Sequence, residues 1–215
     1  MKPYYQDEYV TLYHGDCREV LLALPVADLL LTDPPYGIGR DGSSVSTGSH
    51  GGRKAYEFKG WDSSTPEQST FALMFERSRH QIIWGANYFT KSLPPSMGWL
   101  VWDKGQRIAG SDAELAFTSF SCALRVFTMN RVEIALDGAV HPTQKPQRLI
   151  SLCIAHADKH GSATTILDPF AGSCTTLRAA KDMGRKAVGI EIDESYCEIA
   201  ARRLSQGVLD FGGAA

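Results

Sequence analysis

The chain has 215 residues, 43% of them hydrophobic and 21% charged, and 22 Lys and Arg against 24 Asp and Glu leave a formal net charge of −2. That length suits one compact domain with a sizeable core, and that charge excludes a partner recognised by overall basicity, so any nucleic-acid footprint has to be local. No apolar run approaches the ~18 residues of a membrane span, and "MKPYYQDEYV" is too polar for a signal peptide, so a cytoplasmic protein with no membrane partner is expected.

In chain order, "YVTLYHGD" alternates as a short strand, and "CREVLLALP" has helical spacing at Val20, Leu21 and Leu24 before Pro25 stops it. "ADLLLTD" is a continuous apolar run, which predicts a parallel strand buried on both faces. The Gly/Ser-rich segment 37–64 reads as a long loop. "TPEQSTFALMFERSRH" predicts a helix capped by Thr65, with Pro66 at its first position and Gln68 completing a capping box. "QIIWG" is the next strand. After Pro94 and Pro95, "GWLVWDK", "ELAFTSF" and "CALRVFTM" read as three more. "KPQRLISLCIAHADKH" is helical, and "TTILDPFAG" is a second buried strand running into a glycine turn. "SCTTLRAAKDMG" is a helix ending at Gly184, "KAVGIEID" a strand, and "ESYCEIAARRLSQG" the last helix. Alternating strands and helices predict a doubly wound, mostly parallel, Rossmann-like α/β sheet with helices on both faces. One domain covers 1–215, with 37–64 as an insertion and no separate target-recognition domain.

Ligands in such sheets bind at the carboxyl ends of the strands. Two strand ends carry unusual chemistry. In "LLLTDPPYG", Pro34 and Pro35 present carbonyls but no amide hydrogens, and the Asp33 carboxylate is also an acceptor. Such an acceptor-only turn suits an exocyclic amino group on a planar ring, with Tyr36 as a face for that ring to stack on. A plain strand-terminating turn would have the same prolines. In "TILDPFAGSCTT", Asp168 closes a strand, a small-residue turn follows, and a helix N-terminus near Ser173 offers amide donors. Glu191 ends the next strand, about 20 residues on, where a ribose hydroxyl pair is usually held. The turn is not G-x-G-x-x-G, so a dinucleotide is not favoured, and an ordinary strand, turn and surface acid would also fit.

At these residues the chain resembles the amino-group DNA methyltransferases that use S-adenosylmethionine. "DPPY" at 33–36 is similar to their catalytic motif, which implies catalytic roles for Asp33, Pro34, Pro35 and Tyr36. "DPFAGSCTT" resembles their cofactor motif, so Asp168, Pro169, Phe170, Ala171, Gly172, Ser173 and Thr175 are implied cofactor contacts, with Cys174 where the family usually has glycine. "HPTQKP" resembles the motif that holds the methionine part, implicating His141, Thr143 and Lys145. "GIEID" resembles the ribose site, with Glu191 and Ile192, and "HGDC" the adenine site, with Asp16 and Cys17. Asp33 is counted with the cofactor residues as well. The catalytic motif precedes the cofactor motif, an order similar to the permuted β-class, which implies a seven-stranded sheet ending in an antiparallel pair.

The resemblance implies S-adenosylmethionine as cofactor, double-stranded DNA as partner and pairing into a homodimer. Adenine N6 is the expected target because Asp stands first in "DPPY". Cytosine N4 is the alternative, followed by an RNA or protein amide methyltransferase or a catalytically idle DNA-binding homologue. Arg40, Arg53, Lys54 and Lys59 in the 37–64 loop are candidate phosphate contacts, or else ordinary solvated loop residues. Lys91, Lys104 and Arg107 extend a basic face or are scattered surface charges. Trp61 anchors the loop or touches DNA. Asn87 and Tyr88 line the target pocket or form a turn beside the core residues Trp84 and Phe89. Cys174 is read as a small residue on the first helical turn, the other reading being a position that needs special backbone angles. The five cysteines form no Cys-x-x-Cys pair, and no His/Cys/carboxylate cluster suggests a metal.

Overall fold

Leu29, Leu30 and Leu31 expose no surface at all, as a strand covered on both faces requires. The computed structural model describes residues 1–39, 60–105, 111–129 and 145–206. Its strands are β1 (Tyr5–Gln6), β2 (Val10–His14), β3 (Ala27–Thr32), β4 (Ser78–Trp84), β5 (Trp99–Asp103), β6 (Ala113–Thr118), β7 (Arg125–Thr128), β8 (Thr165–Asp168) and β9 (Lys186–Glu191). Its helices are α1 (Cys17–Ala23), α2 (Gln68–Glu76), α3 (Gln147–His160), α4 (Thr175–Asp182) and α5 (Glu194–Ser205), with a short 3₁₀ turn at Ala86–Tyr88.

All strands join one sheet in the order β1-β2-β9-β8-β3-β4-β6-β5-β7. From β2 to β4 every pairing is parallel. β6 runs antiparallel to both β4 and β5, and β7 returns parallel to β5. Side chains alternate between two cores. Leu29, Leu31, Ile82 and Trp84 pack under α3, α4 and α5, while Leu30 and Ile83 face α1 and α2. Each fully buried leucine contributes about 2 kcal/mol.

Two expectations are corrected here. The sheet has nine strands among the described residues, not seven, and the additions sit at its edges. β1 exists because Asp7 folds the chain back on β2: its Oδ1 accepts from the Tyr9 and Val10 amides at 2.8 and 2.9 Å. Two residues are too few to show a period. β7, at the other edge, is the "CALRVFTM" run. The helix expected through His80 instead ends at Glu76 and starts at Gln68, with Glu67 at its N-cap making no side-chain cap bond. Ser78 and His80 pair with Ala27 and Leu29 of β3, so sheet pairing overrides helical spacing there.

One cluster of side chains is not apparent in the sequence. Cys122, His156 and His160 come together, each ligand atom within 4.8 Å of the others. His156 and His160 stand one turn apart on α3, facing the turn that holds Cys122 between β6 and β7, a proximity hidden in the sequence by the fold.

From β3 the chain goes through α2 to β4 on one side; from β8 it goes through α4 to β9 on the other. The strand order therefore reverses between β3 and β8, and a crevice opens at their carboxyl ends.

Candidate active site

Thr32 ends β3, and its hydroxyl donates to Asp168 Oδ1 at the end of β8 over 2.7 Å. This bond joins the two chemically unusual strand ends directly. The next residue, Asp33, opens the proline turn. The turn is held at its far end by Asp62, whose Oδ1 accepts from the Tyr36 and Gly37 amides, both at 2.8 Å. Tyr36 Oη donates to Asp33 Oδ1 at 2.5 Å. Its ring lies parallel to that of Tyr88, with centroids 4.8 Å apart and planes 14° apart. Gly85 permits this placement: it has φ +70°, and a Cβ there would fall 2.0 Å from Tyr36 Cε1.

Lys145 lies just before α3 and is buried. Its Nζ is 2.5 Å from Asp33 Oδ2, 3.1 Å from Tyr36 Oη and 2.9 Å from Glu114 Oε2. Lys104 closes the row, 2.7 Å from Glu114 Oε1. Two acids and two bases thus alternate and neutralise each other. Burial works against the Lys145 charge, but Asp33, Tyr36 and Glu114 outweigh it and hold the ammonium well above the ordinary lysine value. Burial also opposes the Glu114 charge, yet Lys145 and Lys104 bring its carboxyl down to about 2. For Asp33, burial pushes the carboxyl above the usual range, Lys145 pulls the other way, and Glu114 adds to the rise.

Beside this turn is a cavity of about 430 Å³, a size that suits a small-molecule ligand. Residues 168–173 and Thr175 line one wall. Asp16, Cys17, Glu191 and Ile192 line another, and Asp33, Pro35 and Lys145 line the end nearest the proline turn. Pro34 is buried beneath the turn. Asp16 caps α1, accepting from the Arg18 amide at 2.8 Å, and the Arg18 guanidinium holds its carboxyl below the usual range. Glu191 accepts from the Gly172 amide at 2.7 Å and the Asp193 amide at 2.8 Å. Asp168 is 3% exposed, and burial raises its carboxyl to about 6 against hydrogen bonds from Thr32 and Thr176. The Thr175 hydroxyl is buried on the cavity wall and has no hydrogen-bond partner among the described residues. Above Gly172, at φ +50°, a Cβ would meet nothing within 4 Å.

Cys174 corrects the reading of a plain first-turn residue. It has φ 59° and ψ 39°, the only left-handed non-glycine residue among those described, and it stands at the N-cap of α4. The family glycine therefore matches a backbone requirement. The cysteine side chain is fully buried in the core under α3 and α5.

Arg40, Arg53, Lys54, Lys59, Arg107, His141 and Thr143 lie outside the described residues. Lys104 is turned inward rather than outward: its ammonium pairs with Glu114 and lies 5.2 Å from the centre of the Trp102 ring. Trp61 borders the cavity. Trp84 and Phe89 are core, Asn87 is exposed, and Tyr88 is 42% exposed on the Tyr36 ring. Sequence reasoning missed Thr32, Asp62 and Glu114. Glu114 carries a faint signal, as an acid at the start of an apolar strand. The other two carry none.

The fold is that of the solved methyltransferases. The M1.HpyAVI–SAM complex superposes with a TM-score of 0.59 at 18% identity, covering 92% of this chain and 100% of that one. The PvuII DNA methyltransferase (cytosine-N4-specific) gives a TM-score of 0.61 at 16% identity, covering 97% and 91%. A family described as DNA methylase, of the N6/N4 methyltransferase type, matches residues 88–202, more than half of the chain, and the chain belongs to that family. Among its relatives, the type II methyltransferase M2.LlaDCHI of Lactococcus lactis subsp. cremoris is 28% identical over 258 residues, covering 96% of this chain and 93% of the relative. The DNA adenine methyltransferase YhdJ of Escherichia coli (strain K12) is 47% identical over 80 residues, covering 37% of this chain and 26% of that protein.

Proposed function

We propose that this chain is an S-adenosylmethionine-dependent DNA methyltransferase that modifies the N6 amino group of a flipped-out adenine. The observation that carries the reading is the Thr32–Asp168 hydrogen bond, which sets an acceptor-only turn directly beside a small-molecule cavity. The cavity residues fit the cofactor. Glu191 and Asp16 offer carboxylates for hydroxyl and amino donors, Phe170 and the 64% exposed Ile192 offer apolar surface, and Thr175 offers an unused hydroxyl. S-adenosylmethionine, when bound, supplies a methyl group activated on a sulfonium.

The protein positions the acceptor. A base must leave the duplex to be reached. Tyr36 offers it a ring face. Tyr88 stacks flat on that ring, so a base taking this face would displace Tyr88. The Asp33 carboxylate and the Pro34 carbonyl accept the two amino hydrogens, which draws the nitrogen lone pair out of conjugation. With the cofactor bound, that lone pair would be directed at the methyl group the cofactor supplies, and Asp33 would take up the surplus amino proton. Lys145 and the Tyr36 hydroxyl fix the carboxylate from behind, so positioning supplies much of the rate.

The same reading includes the permuted β-class topology and one domain over 1–215, with residues 37–64 contacting DNA. It also includes double-stranded DNA as partner, homodimerisation and a cytoplasmic location; no helix among the described residues is long and apolar enough to cross a membrane. Incubation with isotopically labelled cofactor and unmethylated duplex DNA, followed by nucleoside analysis, tests it. Label on N6 of deoxyadenosine is expected. Label on N4 of deoxycytidine would move the target to the other base, and label only in RNA or protein would overturn the proposal.

A further inference from the structure

We propose that Cys122, His156 and His160 bind one thiophilic divalent cation of the zinc class, at a site separate from the cavity. The donor set is one thiol and two imidazoles, the ligands zinc prefers. The Cys122 Sγ to His156 Nε2 distance is 3.6 Å. Zinc–sulfur and zinc–nitrogen bonds at a tetrahedral angle put sulfur and nitrogen about 3.5 Å apart, so this edge is already set for the ion. The remaining ligand atoms lie within 4.8 Å of each other, which a small side-chain rotation closes.

The surroundings favour it. His156 is 7% exposed, so one ligand is pre-positioned, while His160 is exposed and gives the ion an entry path. Phe120 forms an apolar wall against His80, His156 and His160, with ring centroids 4.9, 5.8 and 6.0 Å away. His160, Arg125 and Lys159 are the titratable neighbours that face His156. Arg125 and Lys159 also oppose a cation, and loss of the Cys122 proton on binding offsets one of these charges. Three protein ligands leave a fourth position for water. The ion would cross-link the β6–β7 turn to the carboxyl end of α3. Lys145 precedes the other end of that helix, which its 14 residues make about 20 Å long. The site is thus remote from Asp33.

Cobalt(II) titration of the chelator-treated full chain tests this without reference to activity. One equivalent of cobalt should give a thiolate-to-cobalt charge-transfer band and the intense visible bands of tetrahedral cobalt, and zinc should bleach both. Cys122→Ser should abolish the charge-transfer band. His160→Gln, at an exposed position that leaves the fold intact, should weaken binding at least ~10-fold. Absence of the bands in the unmodified chain would mean that Cys122 and His156 share only a hydrogen bond, and would overturn the site. Unchanged spectra in Cys122→Ser, or unchanged affinity in His160→Gln, would overturn it equally.

Discussion

Asp33 does not face the cavity alone. Lys145 holds one of its oxygens and the Tyr36 hydroxyl the other, so its orientation depends on a charge from far along the chain. Lys145 in turn sits between two acids and is 6% exposed. Removing its charge strands Asp33 and Glu114 together, and breaking a buried pair in this way costs about 3–5 kcal/mol. Lys145→Met should therefore lower stability by at least ~3 kcal/mol in denaturant unfolding. A change under ~1 kcal/mol would mean that the row of charges is dispensable. The residues of "DPPY" and "DPFAG" were legible because each has distinctive local chemistry. Glu114 and Asp62 were not, because what defines them is a partner. Glu114 meets Lys145 only once β6 is placed beside β4, and Asp62 meets the Tyr36 amide only across the 37–64 segment.

Among the elements, the buried strands were the most readable. β3 is a short apolar run followed directly by an acid and β8 one ending in an acid, and covering helices on both faces leave such a pattern little other use. The helix boundaries were less so. The start of α2 looked like a capping box, yet Glu67 takes the cap, and Ser78 and His80 join the sheet because β3 is there to pair with them. The start of α4 is the most informative element boundary. Residue 174 is left-handed, which costs a side-chain-bearing residue roughly 1–2 kcal/mol. Cys174→Gly relieves that cost, while Cys174→Ala keeps it, and both lose the same buried sulfur. The glycine variant should be more stable than the alanine variant by about 1 kcal/mol, the reverse of the order at ordinary helical positions. Thermal unfolding of the pair decides it; alanine equal to or better than glycine would contradict the left-handed cap.

For the whole molecule, the crevice joins carboxyl groups with opposed pH behaviour. Asp168 titrates at about 6 in the folded chain against an ordinary 3.8, so between those values the native state holds a proton that the unfolded chain has lost. Its contribution to stability therefore falls as pH rises from about 4 to about 6, by on the order of 3 kcal/mol. Glu114, brought down to about 2 from 4.5, acts in the opposite sense: its stabilisation is complete above 4.5 and is lost as pH falls toward 2. Melting temperature followed against pH should show the decline between about 4 and 6 in the native chain, and Asp168→Asn should flatten it. Parallel curves for the two proteins would show that Asp168 is not the group responsible.

In the proposed function, two strand ends distant in sequence form one site with divided labour: β8 and β9 would hold the methyl donor, and β3 the acceptor. Parallel measurement of cofactor affinity by calorimetry and of methyl transfer to DNA in Asp33→Ala and in the native chain addresses it most directly. Asp33→Ala should lose methyl transfer by about 100-fold or more beyond whatever its change in cofactor affinity explains. Transfer at the native rate, or loss of cofactor binding sufficient to explain the whole defect, would contradict it.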